Sequence, residues 1–139
     1  MILLDTNVVS AMMRLANESA VEHWLDTLRP DTVWTTTVTL FEVGFGLKIL
    51  SAGRRRTLLE AAFAEAINDV LGGRVMPFDH AAAGAAAAMA ADCRREGRTT
   101  EIRDLLIAGI AAAQKATLAT RNLRHFETFG IALVDPWNA

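Results

Sequence analysis

Short runs of apolar residues alternate along this chain with longer segments in which apolar residues recur every three or four positions. The short runs are rich in leucine and β-branched residues and predict buried strands, whereas the longer segments predict helices with one apolar face. The predicted strands are Ile2–Leu4, Val33–Thr37, Val75–Phe78, Thr117–Thr120 and Ile131–Val134.

Helical segments separate the predicted strands. They are Val8–Met13, Thr39–Leu50, Thr57–Leu71, Ala81–Arg95 and Ile102–Lys115. A further helix begins near Asn17 and stops at Pro30, and Leu123–Phe126 forms a helical turn. Because strands separated by helices need crossover connections, this order predicts an α/β fold with a mostly parallel sheet of four to five strands. The chain contains no linker-like segment, so we expect one domain over residues 1–139.

The composition fits a globular protein, with 52% hydrophobic and 22% charged residues. The formal net charge of −2 argues against a strongly basic nucleic-acid binder. The 25 alanines favour closely packed helices, and 12 of the 14 basic residues are arginine. A single cysteine, Cys93, indicates a reducing compartment, and no apolar run approaches the roughly 18 residues of a membrane span. We therefore expect a cytoplasmic protein with no membrane partner.

Three carboxylates stand beside apolar residues. Asp5 ends the first predicted strand, Glu42 lies early in the helix after the second strand, and Asp104 begins a helix whose next residues are all apolar. An ionised carboxylate is seldom placed in apolar surroundings unless it is paired or binds a cation. The carboxyl ends of parallel strands meet at one edge of a sheet, so we expect Asp5 and Glu42 at the same edge.

Each carboxylate also has a purely structural interpretation. Asp5 can cap a helix, Thr39 and Glu42 match a capping box, and Asp104 complements the helix dipole. Their joint placement favours a shared site instead. Carboxylates within about 4 Å would repel by roughly 4 kcal/mol per pair at an effective dielectric near 20, so such a cluster needs a divalent cation. Oxygen ligands without a suitably spaced Cys or His suit Mg²⁺ or Mn²⁺, which activate water against phosphodiesters.

Five segments carry a resemblance to a known family. They are Met1–Ser10, Thr39–Gly46, Asp104–Ala111, Leu118–Glu127 and Val134–Trp137. In order and spacing they resemble the successive motifs of PIN-domain proteins, and most of all the branch that holds the VapC and FitB toxins of type II toxin–antitoxin pairs. The resemblance extends from the first residue nearly to the last.

The resemblance implies a single PIN domain with a Rossmann-like α/β/α sandwich, and a metal-dependent endoribonuclease. It assigns Asp5, Glu42 and Asp104 to catalysis and to binding Mg²⁺ or Mn²⁺, with Thr6 and Asn7 in support. It also implies RNA as the substrate, a VapB-like antitoxin as the partner, and a homodimer that can enter a larger assembly with the antitoxin.

One position departs from the family's pattern. Asn122 stands where many PIN nucleases have a fourth acidic residue, and it offers a carbonyl oxygen but no charge. This favours one strong metal site with a second ion arriving with the substrate. It also keeps open a second interpretation, a non-catalytic PIN-fold binding or assembly module. A phosphotransfer receiver built on Asp5 or Asp79 ranks below both, because Lys115 precedes its strand instead of following it.

Several further side chains bear on the site. Arg121 and Arg124 flank Asn122 and are expected to contact RNA phosphates. Arg54–Arg56 is expected to form an exposed turn, and Gly46 to allow a close approach between backbones. Structural or solvent-facing roles are expected for His23, His80 and His125, and core or interface positions for Trp24, Trp34 and Trp137.

The assignment of three carboxylates to a cation changes the meaning of the net charge. Three of the 16 acidic residues would face the ion, and a bound divalent ion would bring the formal charge from −2 to about zero. Arginines would then supply local phosphate contacts. The net negative charge of the chain is therefore compatible with RNA as the substrate.

Overall fold

The computed structural model describes residues 1–13 and 19–139. These residues form five strands, β1 (Ile2–Leu4), β2 (Val33–Thr36), β3 (Val75–Met76), β4 (Thr117–Ala119) and β5 (Ala132–Val134). They also form six α-helices, α1 (Thr6–Met13), α2 (Ser19–Asp26), α3 (Thr37–Lys48), α4 (Arg54–Glu65), α5 (His80–Arg95) and α6 (Ile102–Gln114). A π-helical turn at Ala66–Val70 extends α4, and 3-10 turns lie at Pro30–Thr32, Leu123–His125 and Glu127–Phe129.

The five strands form one sheet in the order β3-β2-β1-β4-β5, and every neighbouring pair is parallel. In the register of the sheet, Ile2 lies opposite Val33 on one side and Thr117 on the other. The chain proceeds from β1 through β2 to β3 and then crosses to β4 and β5, so the order reverses between β1 and β4. Ligands of open parallel sheets bind beyond the carboxyl ends at such a switch point. The predicted α/β fold with a parallel sheet is confirmed.

Helices cover both faces of the sheet. Consecutive residues of a strand point to opposite faces, so Leu3 and Leu4 enter different apolar clusters. Leu4 packs in the cluster of α1 and α3, and Leu3 packs in the cluster of α5 and α6. Across the two described stretches of chain, no helix has both the length and the apolar character that crossing a membrane requires.

Two predicted helix starts are wrong. Helix α3 begins at Thr37, because the Thr36 hydroxyl accepts the N–H of Thr39 at 3.1 Å and caps the helix. Thr39 is therefore not the cap, and Glu42 is not part of a capping box. Helix α4 begins at Arg54 and not at Thr57, so the three arginines form its first turn, where Arg54 and Arg55 are exposed as expected. The predicted start near Asn17 lies outside the described residues.

A glycine allows another helix to pack closely against α6, whereas the close approach expected at a glycine of α3 is not found. A Cβ added to Gly46 would meet no heavy atom within 4 Å, so the prediction for Gly46 is wrong. A Cβ added to Gly109 would lie 2.6 Å from the carbonyl oxygen of Ala82 and 2.7 Å from Cβ of Ala86. The alanine-rich helix α5 therefore packs directly on the backbone of α6.

Candidate active site

Asp5 directly follows β1 at the switch point of the sheet. Its backbone N–H donates to the carbonyl oxygen of Ala119 at 2.9 Å, which ties it to the end of β4. Its carboxylate is buried and accepts two hydrogen bonds, from the Thr6 N–H at 2.8 Å and from the Thr120 hydroxyl at 2.7 Å. The Asp5 carboxylate thus binds the N–H of the first residue of α1, and not that of the second or third residue as a capping side chain does. It is also held by Thr120, which follows β4.

Two further carboxylates share a cavity with Asp5. Helix α3 follows β2 and presents Glu42, and the first turn of α6 presents Asp104. The cavity has a volume of about 480 Å³ at the carboxyl edge of the sheet. Its other lining residues are Thr6, Asn7, Ser10, Ala11, Glu101, Arg103, Arg121, Asn122, His125 and Trp137. The structure therefore brings the three predicted carboxylates together, although they are far apart in sequence.

Acidic side chains outnumber arginines in the lining of the cavity, and the pKa values of its three central carboxylates are raised. Burial raises the pKa of Asp5, although hydrogen bonds from Thr120 and Thr6 oppose the rise. Burial also raises the pKa of Glu42, and repulsion from Asp5 raises it further. The pKa of Asp104 is raised by burial in spite of attraction to His125. Among the residues that the structure describes, neither Asp5 nor Glu42 forms a salt bridge.

His125 enters the cavity, a placement that the sequence did not indicate. It lies in the 3-10 turn after β4, and its Nδ1 is 3.1 Å from Oδ2 of Asp104. The side chain is 56% exposed, so the expected solvent contact coexists with a contact to the site. The signal that could have indicated this placement is its position three residues after Asn122, on the segment that follows β4. His23 and His80 do not line this cavity.

Thr120 is the second residue that sequence reasoning missed. It follows β4 and is fully buried. Its hydroxyl oxygen accepts the backbone N–H of Asn122 at 3.1 Å and lies 3.5 Å from Nδ2 of Asn7, while its proton goes to Asp5. Asn7 also accepts the backbone N–H of Arg121 at 3.2 Å through its Oδ1. Asn7 and the backbone of Asn122 thus contact Thr120, and the Thr6 hydroxyl oxygen lies 3.3 Å from that of Thr39.

The two arginines that flank Asn122 point into different cavities. Arg121 lines the acidic cavity, and its guanidinium carbon lies 4.6 Å from the ring centroid of Trp137. Arg124 lines a neighbouring cavity of about 450 Å³ together with Arg98 and Thr128. Trp24 and Trp34 pack partly buried against the core, as predicted, whereas Trp137 both packs on the core and lines the acidic cavity.

A larger apolar cavity adjoins the site. It has a volume of about 1020 Å³ and lies between α1, α3 and α4. It shares Thr6, Ser10 and Glu42 with the acidic cavity, and Arg54 and Arg55 also line it. Its apolar lining consists of Met13, Val43, Leu47, Leu58 and Leu59. The first two arginines of the basic run therefore border the functional region.

Most of the possible metal ligands at the site are oxygen atoms, and the ring nitrogens of His125 are the exception in the lining of the cavity. Asp5, Glu42 and Asp104 provide carboxylate oxygens, and Asn122 provides an amide oxygen. Over the described ranges, no three His, Cys, Asp or Glu side chains are arranged so as to hold one metal ion. Glu42 and Asp104 are only partly buried. Binding of one ion by all three carboxylates would therefore require their side chains to move toward one another.

Comparison with known proteins identifies similar chains over the whole length. The model of the PIN domain family matches residues 2–130. The VapC ribonuclease Y4jK of Sinorhizobium fredii is 34% identical over 137 residues, which cover 99% of this chain and 98% of that protein. The toxin FitB of Neisseria gonorrhoeae is 31% identical and covers 99% of each chain. The crystal structure of FitAcB from Neisseria gonorrhoeae superimposes with a TM-score of 0.89 at 31% identity over 100% of both chains.

Proposed function

Because the chain belongs to the PIN-domain family, we propose that it is a metal-dependent endoribonuclease and the toxin of a type II toxin–antitoxin pair. The observation that carries this proposal is the cavity in which Asp5, Glu42 and Asp104 meet at the switch point of the sheet. Similar proteins are named as a VapC ribonuclease and as a toxin. RNA is the proposed substrate.

The donor set fits Mg²⁺ or Mn²⁺, since both prefer oxygen ligands. Asp5, Glu42 and Asp104 would hold the ion, and its charge would offset the repulsion that raises the pKa of Glu42. When bound, the ion supplies Lewis-acid activation of water and screens phosphate charge. Asn122 adds no charge, which favours one strongly bound ion.

The protein's own groups orient the reaction. The Thr6 N–H and the Thr120 hydroxyl fix the Asp5 carboxylate in one orientation. Attack of water on a phosphodiester releases a proton, and the carboxylates that line the cavity are acceptors within the site. Arg121 places a positive charge at the cavity, where it can pair with a phosphate oxygen.

Cleavage of single-stranded RNA by the purified protein tests the proposal. We expect cleavage with Mg²⁺ or Mn²⁺ and none in excess chelator. Asp104→Asn and Glu42→Gln should each reduce the rate by more than roughly 100-fold, beyond the usual loss for residues that only support a metal ligand. Glu65→Gln on α4 is exposed and should leave the rate unchanged.

Calorimetric titration of the chelator-treated protein with Mg²⁺ provides a readout that is independent of cleavage. Binding that is lost in Asp104→Asn supports the metal site. If the protein binds no Mg²⁺ and also leaves the RNA uncleaved, the two results would instead support the non-catalytic PIN-fold module. That alternative requires neither metal binding nor cleavage.

We also propose that the apolar cavity between α1, α3 and α4 accepts a segment of the cognate antitoxin. Its apolar walls suit the nonpolar face of a helix, and Arg54 and Arg55 suit acidic residues on that segment. The cavity adjoins Glu42, so an occupant would also restrict access to the site. Leu58→Lys should abolish neutralisation by the antitoxin encoded beside this gene, whereas Val70→Lys, at an exposed position outside the cavity, should not.

A homodimer is the third part of the proposal. Phe41, Phe45 and Ile49 lie on one face of α3 at spacings of four residues and are 62%, 53% and 69% exposed. The two phenylalanine rings stack with centroids 6.2 Å apart, and Ile102 borders Phe41 across a shared cavity. We refer to these four residues as the α3 stripe.

The size of the α3 stripe favours a second copy of this chain as its partner. Large aromatic side chains bury roughly 150–250 Å² each, so the stripe exposes on the order of 400 Å², as large as the main apolar patch of a typical monomer. That area supplies about half of the ~800 Å² that each partner buries in a standard interface. In a twofold dimer, Phe45 at the middle of the stripe would face its own counterpart.

A further inference from the structure

Arg121 is an exposed residue among those that line the acidic cavity. Arg121 lines the same cavity as Asp5, Glu42 and Asp104. Within residues 1–13 and 19–139 it forms no salt bridge. If the side chain of Arg121 turned toward these carboxylates, it would compete with a cation for their oxygen atoms. A physical restraint on Arg121 is therefore expected.

The indole of Trp137 is that restraint. The Arg121 guanidinium carbon lies 4.6 Å from the centroid of the Trp137 ring, within the range of a cation–π interaction. At the other end of the residue, the backbone N–H of Arg121 donates to Oδ1 of Asn7 at 3.2 Å. Arg121 is thus fixed at its backbone by α1 and at its guanidinium by the C-terminal turn.

The C-terminal turn is itself ordered by hydrogen bonds. The Asp135 carboxylate accepts the backbone N–H of Trp137 at 2.9 Å and Nδ2 of Asn138 at 2.8 Å. Trp137 also packs against the apolar cluster of α1 and α3. The ring therefore has a fixed position relative to the cavity, and it can set the position of the arginine that stacks on it.

We propose that Trp137 is a positioning residue that holds the Arg121 guanidinium for a phosphate oxygen of the bound RNA strand. The inference rests on the ribonuclease function proposed above. The face of the indole ring packs against one face of the guanidinium and leaves its positive charge in place. The N–H groups at the edge of the guanidinium therefore stay available for a bidentate contact with a phosphate. Neither residue is placed among the metal ligands.

Kinetics on a short single-stranded RNA at a series of salt concentrations test this role with the full-length protein. Arg121→Gln should raise KM about tenfold and lower the slope of log(kcat/KM) against log[salt] by about one, as expected for loss of one phosphate contact. Trp137→Leu should raise KM several-fold and shift the salt slope toward that of Arg121→Gln, with a smaller effect on kcat. Trp137→Phe keeps a weaker aromatic face and should give an intermediate KM.

The double variant separates positioning from a structural role. In the Arg121→Gln background, Trp137→Leu should add no further rise in KM, because the group it positions is gone. Equal salt slopes for Trp137→Leu and the wild type, or additive effects on KM, would overturn the inference. If Trp137→Leu does not fold, the same cycle is run with Trp137→Phe. If the wild type cleaves no RNA, the proposed function fails, whereas cleavage with unchanged salt slopes contradicts only the role of Trp137.

Discussion

The Thr120 hydroxyl donates to Oδ2 of Asp5 at 2.7 Å and joins the carboxyl ends of β4 and β1. The two residues are 115 positions apart in the sequence. Because the same hydroxyl oxygen accepts the N–H of Asn122, its proton is directed toward Asp5. Thr120 therefore orients the most deeply buried carboxylate of the site from the neighbouring strand.

The first prediction concerns this hydrogen bond. Thr120→Val keeps the shape of the side chain but removes the donor, and the donor lowers the pKa of Asp5. Its loss should raise that pKa further and reduce Mg²⁺ affinity about tenfold, in the range for loss of a residue that orients a metal ligand. Calorimetry at neutral pH measures the affinity. Thr117→Val on the same strand is the control, and equal affinities for the two variants would contradict the prediction.

The second prediction concerns stability against pH in the absence of metal. Burial and repulsion from Asp5 raise the pKa of Glu42 above its ordinary value of 4.5. A raised pKa in the folded state means that folding favours the protonated form. Protonation of Glu42 therefore stabilises the folded state. This contribution to the free energy of unfolding is complete below pH 4.5 and is lost as the pH rises through the folded pKa of Glu42.

Glu42→Gln removes this titration, because an amide cannot lose a proton in this range. In chelator, the free energy of unfolding of the variant should rise relative to that of the wild type as the pH increases from 4.5 through the folded pKa of Glu42. Urea unfolding at intervals across this range measures the difference. Glu65→Gln, at an exposed position of α4, should track the wild type. A constant difference between Glu42→Gln and the wild type would show that the carboxylate carries no unfavourable charge.

Much of the fold and the three carboxylates could be predicted from local pattern. The triplet Ile2–Leu4 has no polar residue because β1 lies at the centre of the sheet with helices on both faces. Asp5 follows the end of β1 and Glu42 is carried by the helix after β2, and the parallel topology brings both to one edge. Asp104 was recognised because the residues after it are apolar.

The residues around the carboxylates could not be predicted in the same way. Thr120 is one of several threonines at strand ends, and nothing local distinguishes the one whose hydroxyl meets Asp5. The start of α3 was misplaced for a related reason, since Thr36, Thr37 and Thr39 are all acceptable caps and tertiary packing selects Thr36. His125 reaches Asp104 only because a 3-10 turn follows β4.

The third prediction concerns the α3 stripe. Phe45→Lys places a charge at the middle of the apolar surface and, in a twofold dimer, opposite the same charge. We expect the wild type to sediment as a dimer and Phe45→Lys as a monomer at micromolar concentration. Val70→Lys changes another exposed apolar residue and should leave the mass unchanged. A monomeric wild type, or a dimeric Phe45→Lys variant, would rule out this interface.

The fourth prediction compares two glycines in the paired helices α5 and α6. Gly109→Ala would place a methyl group 2.6 Å from the carbonyl oxygen of Ala82, and backbone cannot move as a flexible side chain does. The variant should lose about 1–3 kcal/mol of unfolding free energy, as overpacked positions do. Gly84→Ala meets no atom within 4 Å and should gain roughly 0.5–1 kcal/mol from the better helix propensity of alanine. Urea unfolding of both variants measures the two signs. A gain in stability for Gly109→Ala would mean that the α5–α6 contact is looser than the structure shows, and a loss for Gly84→Ala would contradict the expected gain from helix propensity.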